Sequence, residues 1–149
     1  MKPKVYLSGP MAGLTYEEGT SWRSYVTDKL QDVANCLSPY RGKEYLKGQV
    51  ILNQEYPQVM STPKAITIRD HWDTVNADVV LVNLAEYRNF SIGTVMEIAW
   101  SYHARIPVVA LIPQESEYSK HPILTQACTY IVQDLDEAIQ IVKVLLNAN

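Results

Sequence analysis

Cysteine is scarce in this 149-residue chain: Cys36 and Cys128 stand far apart with no paired spacing. That argues against a disulfide scaffold and for a chain kept reduced in the cytoplasm. No apolar run approaches the ~20 residues that span a bilayer, so no membrane partner is expected. The amino terminus runs from Met1-Lys2-Pro3-Lys4 straight into an apolar strand, which does not read as a signal peptide. Basic residues are scattered and outnumbered, 13 against 16 acidic ones, which leaves no basic face for a nucleic acid. His71, His103 and His121 lack metal-ligand spacing, so neither a metal nor a cofactor is expected. No serine sits in a nucleophile-elbow pattern, and the glycines at 9 and 13 do not have dinucleotide-fingerprint spacing.

What is present is a regular alternation of short apolar runs with helical periodicity. Val5-Tyr6-Leu7 reads as a strand broken by Ser8-Gly9-Pro10-Met11-Ala12-Gly13. Helical spacing runs from Thr15 to about Asn35 through Trp22, Val26, Leu30 and Val33, with Glu17 and Glu18 at its positive end. A second strand is expected near Cys36–Ser38, then a long loop to residue 63. Loops of that length in compact domains are usually functional or mobile.

A helix over 64–77, a buried strand over 78–84, a helix over 91–105 and a strand over 106–112 follow. A short helix near 121–127, a strand at Tyr130–Val132 and a helix opening on Asp134 complete the chain. The expected architecture is α/β: one domain over residues 1–149, a doubly wound five-stranded parallel sheet in a flavodoxin-like or Rossmann-like three-layer sandwich. Ligands in such sheets bind beyond the carboxyl ends of the strands. Here that edge comprises residues 8–13, the loop after Cys36, residues 85–93 and the turn after Ile112.

The segment Ser91-Ile92-Gly93-Thr94-Val95-Met96-Glu97-Ile98 carries the chemical signal. At about 100° per residue, Ile92, Val95, Met96, Ala99 and His103 share one face, expected to pack on the sheet. Glu97 lies off that face, with the small residues Gly93 and Ser101 four positions either side. Ser91 and Gly93 stand where free amides open the helix, fit for an anion or a sugar hydroxyl. The ordinary reading of a helical glutamate is a solvated one; position at the ligand edge argues for more. A second acidic cluster is Arg69-Asp70-His71-Trp72-Asp73, in which Arg69 and Asp73 can form an ordinary i,i+4 pair and Asp70 is left without a local partner.

Together these features resemble the nucleoside 2-deoxyribosyltransferase superfamily, which also holds the 2′-deoxynucleoside 5′-monophosphate N-hydrolases. The resemblance runs from Lys4 through the last helix. It rests on Tyr6 in the first strand, Asp70 eight residues before Asp78, and Ser91-Ile92-Gly93-Thr94-x-x-Glu97-Ile98. It implies that Glu97 is a nucleophile attacking C1′, that Asp70 protonates or orients the departing base, and that Tyr6 aims Glu97. It also implies a dimer or larger homo-oligomer whose subunits share pockets.

The residue types suit that chemistry, because an oxocarbenium-like state needs a carboxylate beneath it and an acid for its leaving group. The expected partners are a 2′-deoxynucleoside or nucleotide and a nucleobase. Ser8, Gly9, Pro10, Met11, Gly13, Asp73, Ser91 and Gly93 are candidate substrate contacts. Ser91 resembles the phosphate-contacting serine of the monophosphate hydrolases, where transferases place an acid. Met11 stands where those hydrolases often carry arginine, and Arg23 or Arg41 is then a candidate replacement. His121-Pro122-Ile123-Leu124 lacks the asparagine that some transferases place there. The long loop from Tyr40 to Tyr56 can close over a base and exclude water, which inclines the reading to base transfer, with hydrolysis as the alternative. A non-catalytic nucleotide-binding module is the alternative of another class.

Overall fold

The computed structural model of the protein describes residues 1–54, 56–86 and 89–147. Five strands form one sheet: β1 (Lys4–Ser8), β2 (Asn35–Leu37), β3 (Val79–Asn83), β4 (Val108–Leu111) and β5 (Tyr130–Val132). Their order is β2-β1-β3-β4-β5 and every pairing is parallel. That is the flavodoxin-like order, with its switch point between β1 and β3. The doubly wound expectation therefore holds strand for strand.

Helices α1 (Tyr16–Leu30), α2 (Pro63–Val75), α3 (Ile92–His103) and α4 (Pro122–Ala127) connect them, and α5 (Leu135–Leu145) follows the last strand. Their starts are written in the sequence. Thr15 caps α1 in a full capping box, its hydroxyl taking the Glu18 amide at 3.0 Å while Glu18 takes the Thr15 amide at 2.8 Å. Thr62 caps α2 ahead of Pro63, and Asp134 caps α5 through the Glu137 amide at 2.8 Å. The first helix ends at Leu30 rather than near Asn35, because the chain turns there to enter β2.

Strand alternation divides the core. Val5, Leu7, Val79, Leu81, Val109 and Leu111 meet Val26 and Leu30 of α1 and Ala138, Ile139 and Val142 of α5. The opposite face carries Tyr6, Val80, Val82, Val108 and Ala110 against Ile98 of α3, with Tyr118 and Leu124. Residues i and i+2 of a strand share a face, so Tyr6 and Ser8 both look toward α3. One polar edge of the sheet is thereby aimed at the helix that bears Glu97.

The orientation of α3 reverses one expectation. Thr94, Glu97, Ile98 and Ser101 are its buried residues. The apolar face of Ile92, Val95, Met96, Ala99 and His103 is turned outward, with Ile92 74% exposed. The reason lies in β1: Tyr6 and Ser8 offer hydroxyls that only a polar helix face can satisfy, so the carboxylate side packs inward. Periodicity locates an apolar stripe but not what lies opposite it.

The long connection between β2 and α2 is irregular in its described residues apart from short 3-10 turns at Glu44–Gly48 and Val59–Ser61. It has its own small core of Tyr40, Leu46 and Leu52, with Met11, Tyr16, Tyr45 and Tyr56 packed on it. Backbone bonds Gly13 N–H to Leu52 O (2.9 Å) and Leu52 N–H to Leu14 O (2.8 Å) tie it to the loop after β1.

Candidate active site

Glu97 is 6% exposed and forms part of the wall of a cavity of about 870 Å³ at the carboxyl edge of the sheet. That volume lies within the range of small-molecule sites. Tyr6 donates its hydroxyl to Glu97 Oε2 at 2.5 Å, and Ser8 donates Oγ–H to Oε1 at 2.8 Å. Both carboxylate oxygens are thus fixed by groups from one strand. Below the side chain, Ser101 Oγ–H binds the Glu97 carbonyl at 2.7 Å, and apart from its chain neighbours and its own helix backbone nothing lies within 4 Å of where a Gly93 Cβ would stand.

Burial pushes the Glu97 carboxyl up to about 7, and the charge of Asp70 adds to the rise; the Tyr6 and Ser8 hydrogen bonds oppose it. Asp70 on α2 borders the same cavity, and burial raises its carboxyl to about 6 against the pull of Lys43 and Arg69. Asp70 Oδ1 is buried with no hydrogen-bond partner. Burial, followed by the charges of Glu97 and Asp70, also holds the Tyr6 phenol well above its ordinary range, so it stays a donor. A buried and a half-buried carboxyl group with raised and interacting affinities for protons are a common signature of acid–base or nucleophilic work.

The loop after β1 supplies Gly9, Pro10, Met11, Ala12 and Gly13 to the cavity wall. Gly9 has no room for a side chain: a Cβ there would lie 2.9 Å from Asn83 O and 3.0 Å from Trp22 Cζ2. Ser91 caps α3, with Oγ 2.8 Å from Thr94 Oγ1 and its own amide donated to Tyr118 Oη at 2.6 Å. Ser91, Ile92 and Gly93 all border the cavity. The sequence-derived set of Tyr6, Gly9, Pro10, Met11, Gly13, Asp70, Ser91, Gly93 and Glu97 therefore meets at one site, while Ser8 meets it through Glu97.

Three candidate contacts lie elsewhere. Arg23 is 2% exposed and is spent on the backbone, donating to Leu7 O (3.1 Å), Gly9 O (2.9 Å) and Gly19 O beneath the faces of Trp22 and Tyr40. It pins the end of β1 instead of facing the cavity. Arg41 donates to Asp73 Oδ1 at 2.7 Å, and Arg69 donates to Arg41 O at 2.7 Å. Arg41 and Asp73 thus strap the long loop to α2. Lys43 was not expected: it borders the cavity and is 3% exposed. Its signal in the sequence is faint, a lysine directly after a turn glycine in a loop at the ligand edge.

Tyr6→Phe tests the hydroxyl clamp. Loss of that donor removes an opposing influence on Glu97, so the carboxyl rises further and the acid limb of the pH–rate profile moves to higher pH. The expected loss in kcat/KM is ~10- to 100-fold with the fold retained, read from pH profiles beside far-UV circular dichroism.

No protein-family model matches the sequence, and comparison with curated protein sequences gives no match. Solved structures do share the fold. The CMP N-glycosidase BcmB of Clostridium botulinum superposes with a TM-score of 0.58 at 14% identity, covering 95% of this chain and 98% of that one. The Moco carrier protein of Chlamydomonas reinhardtii gives 0.63 at 19% identity, with all of both chains covered. A molybdenum cofactor binding protein from Rippkaea orientalis gives 0.62 at 14% identity, over 98% of each chain. At such identities the likeness is one of fold. The same three-layer frame carries an N-glycosidase in one neighbour and cofactor binding in two.

Proposed function

We propose that the protein cleaves the N-glycosidic bond of a 2′-deoxynucleoside by double displacement and passes the sugar to a second nucleobase. In the first step a Glu97 oxygen bonds to C1′ as the C1′–N bond breaks. The bonding pair leaves with the base, which takes the proton of Asp70. In the second step a nitrogen of the incoming base attacks C1′, the C1′–O bond breaks, and the acceptor's proton returns to Asp70. Covalent capture divides one difficult displacement into two easier ones.

The observation that carries this reading is the Glu97 carboxylate, gripped by Tyr6 and Ser8 at the wall of a large cavity that Asp70 also borders. A carrier that only holds a ligand has no use for a buried carboxylate aimed by two hydroxyls. The long loop, which has its own apolar core and lines the cavity, supports transfer over hydrolysis, because closure of such a loop over a bound base would exclude water. Among the described lining residues the cation is Lys43, and the charges that act on it are those of Asp70, Arg69 and Arg41. The charge of Asp70 acts on it, so Lys43 is read as belonging with the acid rather than with a substrate phosphate.

The test is incubation with deoxyuridine, deoxyinosine or deoxyadenosine, with and without a second base, and with the 5′-monophosphates including CMP. Base exchange on free nucleosides is expected. Base release without exchange would replace transfer by hydrolysis, and tight pterin binding without turnover would replace both by a carrier role.

A second copy of the chain is the proposed cover for the outward face of α2 and α3. Trp72 is 65% exposed there, beside Ile68, Ile92, Met96 and Tyr102, an apolar surface of the kind that subunits bury. Ile92 and Met96 also border the cavity, so the contact would reach the site. Sedimentation should show a dimer or larger assembly, and Trp72→Asp should shift it to monomer with weakened substrate binding.

A further inference from the structure

Lys43 is the cation among the described residues that line the cavity. Lys43 is 97% removed from solvent, being 3% exposed, and among the described residues no hydrogen bond or ion pair engages its side chain. Its place is built. Gly42, at φ +75, turns the chain inward just before it, a backbone region that residues with a Cβ seldom adopt. Lys43 N–H binds Tyr40 O at 3.0 Å, and Lys43 O receives Leu46 N–H at 3.0 Å. Arg41, two residues earlier, is locked to Asp73 and Arg69. An ammonium held at a cavity wall without a protein partner is free to take an acceptor from a ligand. On the same cavity wall system Asp70 Oδ1 is also buried and unpartnered. Lys43 and Asp70 thus line one cavity, the space where a departing base would lie.

We propose that Lys43 is the recognition group for the leaving nucleobase, and that the bases it selects carry an exocyclic oxo group conjugated to the glycosidic nitrogen. This rests on the N-glycosidic reading above. When the C1′–N bond breaks, its electron pair passes to the base. In an oxo-base such as uracil or cytosine, conjugation moves much of that negative charge onto oxygen. Lys43 presents three donors and no acceptor, so it binds that oxygen more strongly as the charge grows, which is differential stabilisation of the transition state. Asp70 delivers the proton that neutralises the base. In adenine no oxygen receives the charge, and proton delivery to a ring nitrogen is the assistance left.

The experiment compares the wild type with Lys43→Met and Lys43→Arg on deoxyuridine and deoxyadenosine, and measures binding of free uracil and free adenine by calorimetry. Lys43→Met removes a buried charge at similar volume, so it should fold. Its kcat/KM for deoxyuridine should fall ~10²-fold, with deoxyadenosine little changed and Lys43→Arg intermediate. Equal losses on both substrates, or no loss on deoxyuridine, would overturn the assignment. If the wild type cleaves neither nucleoside, the N-glycosidic reading fails, and the binding arm still decides Lys43. Uracil affinity should drop at least ~10-fold in Lys43→Met while adenine affinity holds, since a charged hydrogen bond is worth that much or more. Unchanged uracil affinity would exclude the contact.

Discussion

Glu97→Gln should lower turnover by at least ~10⁴-fold, the scale on which removal of a nucleophile acts. Glutamine keeps the volume and most of the contacts. Its carbonyl oxygen can accept from Tyr6, and its amide can donate to Ser8 Oγ. What it cannot do is form a stable ester with C1′.

The same substitution should stabilise the fold at alkaline pH. Glu97 is pushed up to about 7 from an ordinary 4.5, so between those values the folded chain holds more proton than the unfolded one. Wild-type stability therefore falls as pH rises through that window. The glutamine variant escapes the loss. Its thermal midpoint should overtake the wild type's between pH 5 and pH 8, read by differential scanning fluorimetry at both. A variant less stable than wild type at pH 8 would show that Glu97 carries no burial penalty.

Asp70→Asn should cost ~10²- to 10⁴-fold on ordinary nucleosides, the usual worth of a positioned acid. A substrate whose leaving group needs no proton, such as a nitrophenyl 2-deoxyriboside, should be largely spared. The pH profile adds a second check. Glu97 must be ionised, which most molecules achieve only above about 7, while Asp70 must be protonated, which most achieve only below about 6. The productive form is therefore a minority at every pH and peaks midway, so the wild type should show a low bell centred between those values. Because the groups interact, the limbs belong to the pair. Asp70 raises Glu97, so Asp70→Asn should carry the acid limb to lower pH and flatten the alkaline one.

Much of this arrangement is legible in the residues. Short continuous apolar runs point to the strands, and Thr15 and Asp134 announce their helices by capping. Tyr6, Asp70 and Glu97 meet because each sits near the carboxyl edge on either side of the β1–β3 switch point. The facing of α3 is not legible, since an apolar stripe left for another surface looks the same as one bound for the core. The charged residues are the other gap. Arg23, Arg41 and Lys43 look alike in the sequence, yet one binds strand-end carbonyls, one straps a loop and one borders the cavity. The path of the long loop separates Arg41 from Lys43, and its irregular backbone follows no period, whereas Arg23 lies on α1 in line with the buried Gly19, Val26 and Leu30.

The central claim is that Glu97 forms a bond to the sugar. Slow turnover of a 2-fluoro-2-deoxyarabinosyl nucleoside, which destabilises the oxocarbenium-like state, should let that species accumulate. Intact-mass and peptide mass spectrometry should then find one added fluorodeoxypentosyl group, on the peptide that contains Glu97, and its loss on addition of an acceptor base. Base release with no adduct at any time, or an adduct on another residue, would contradict the account.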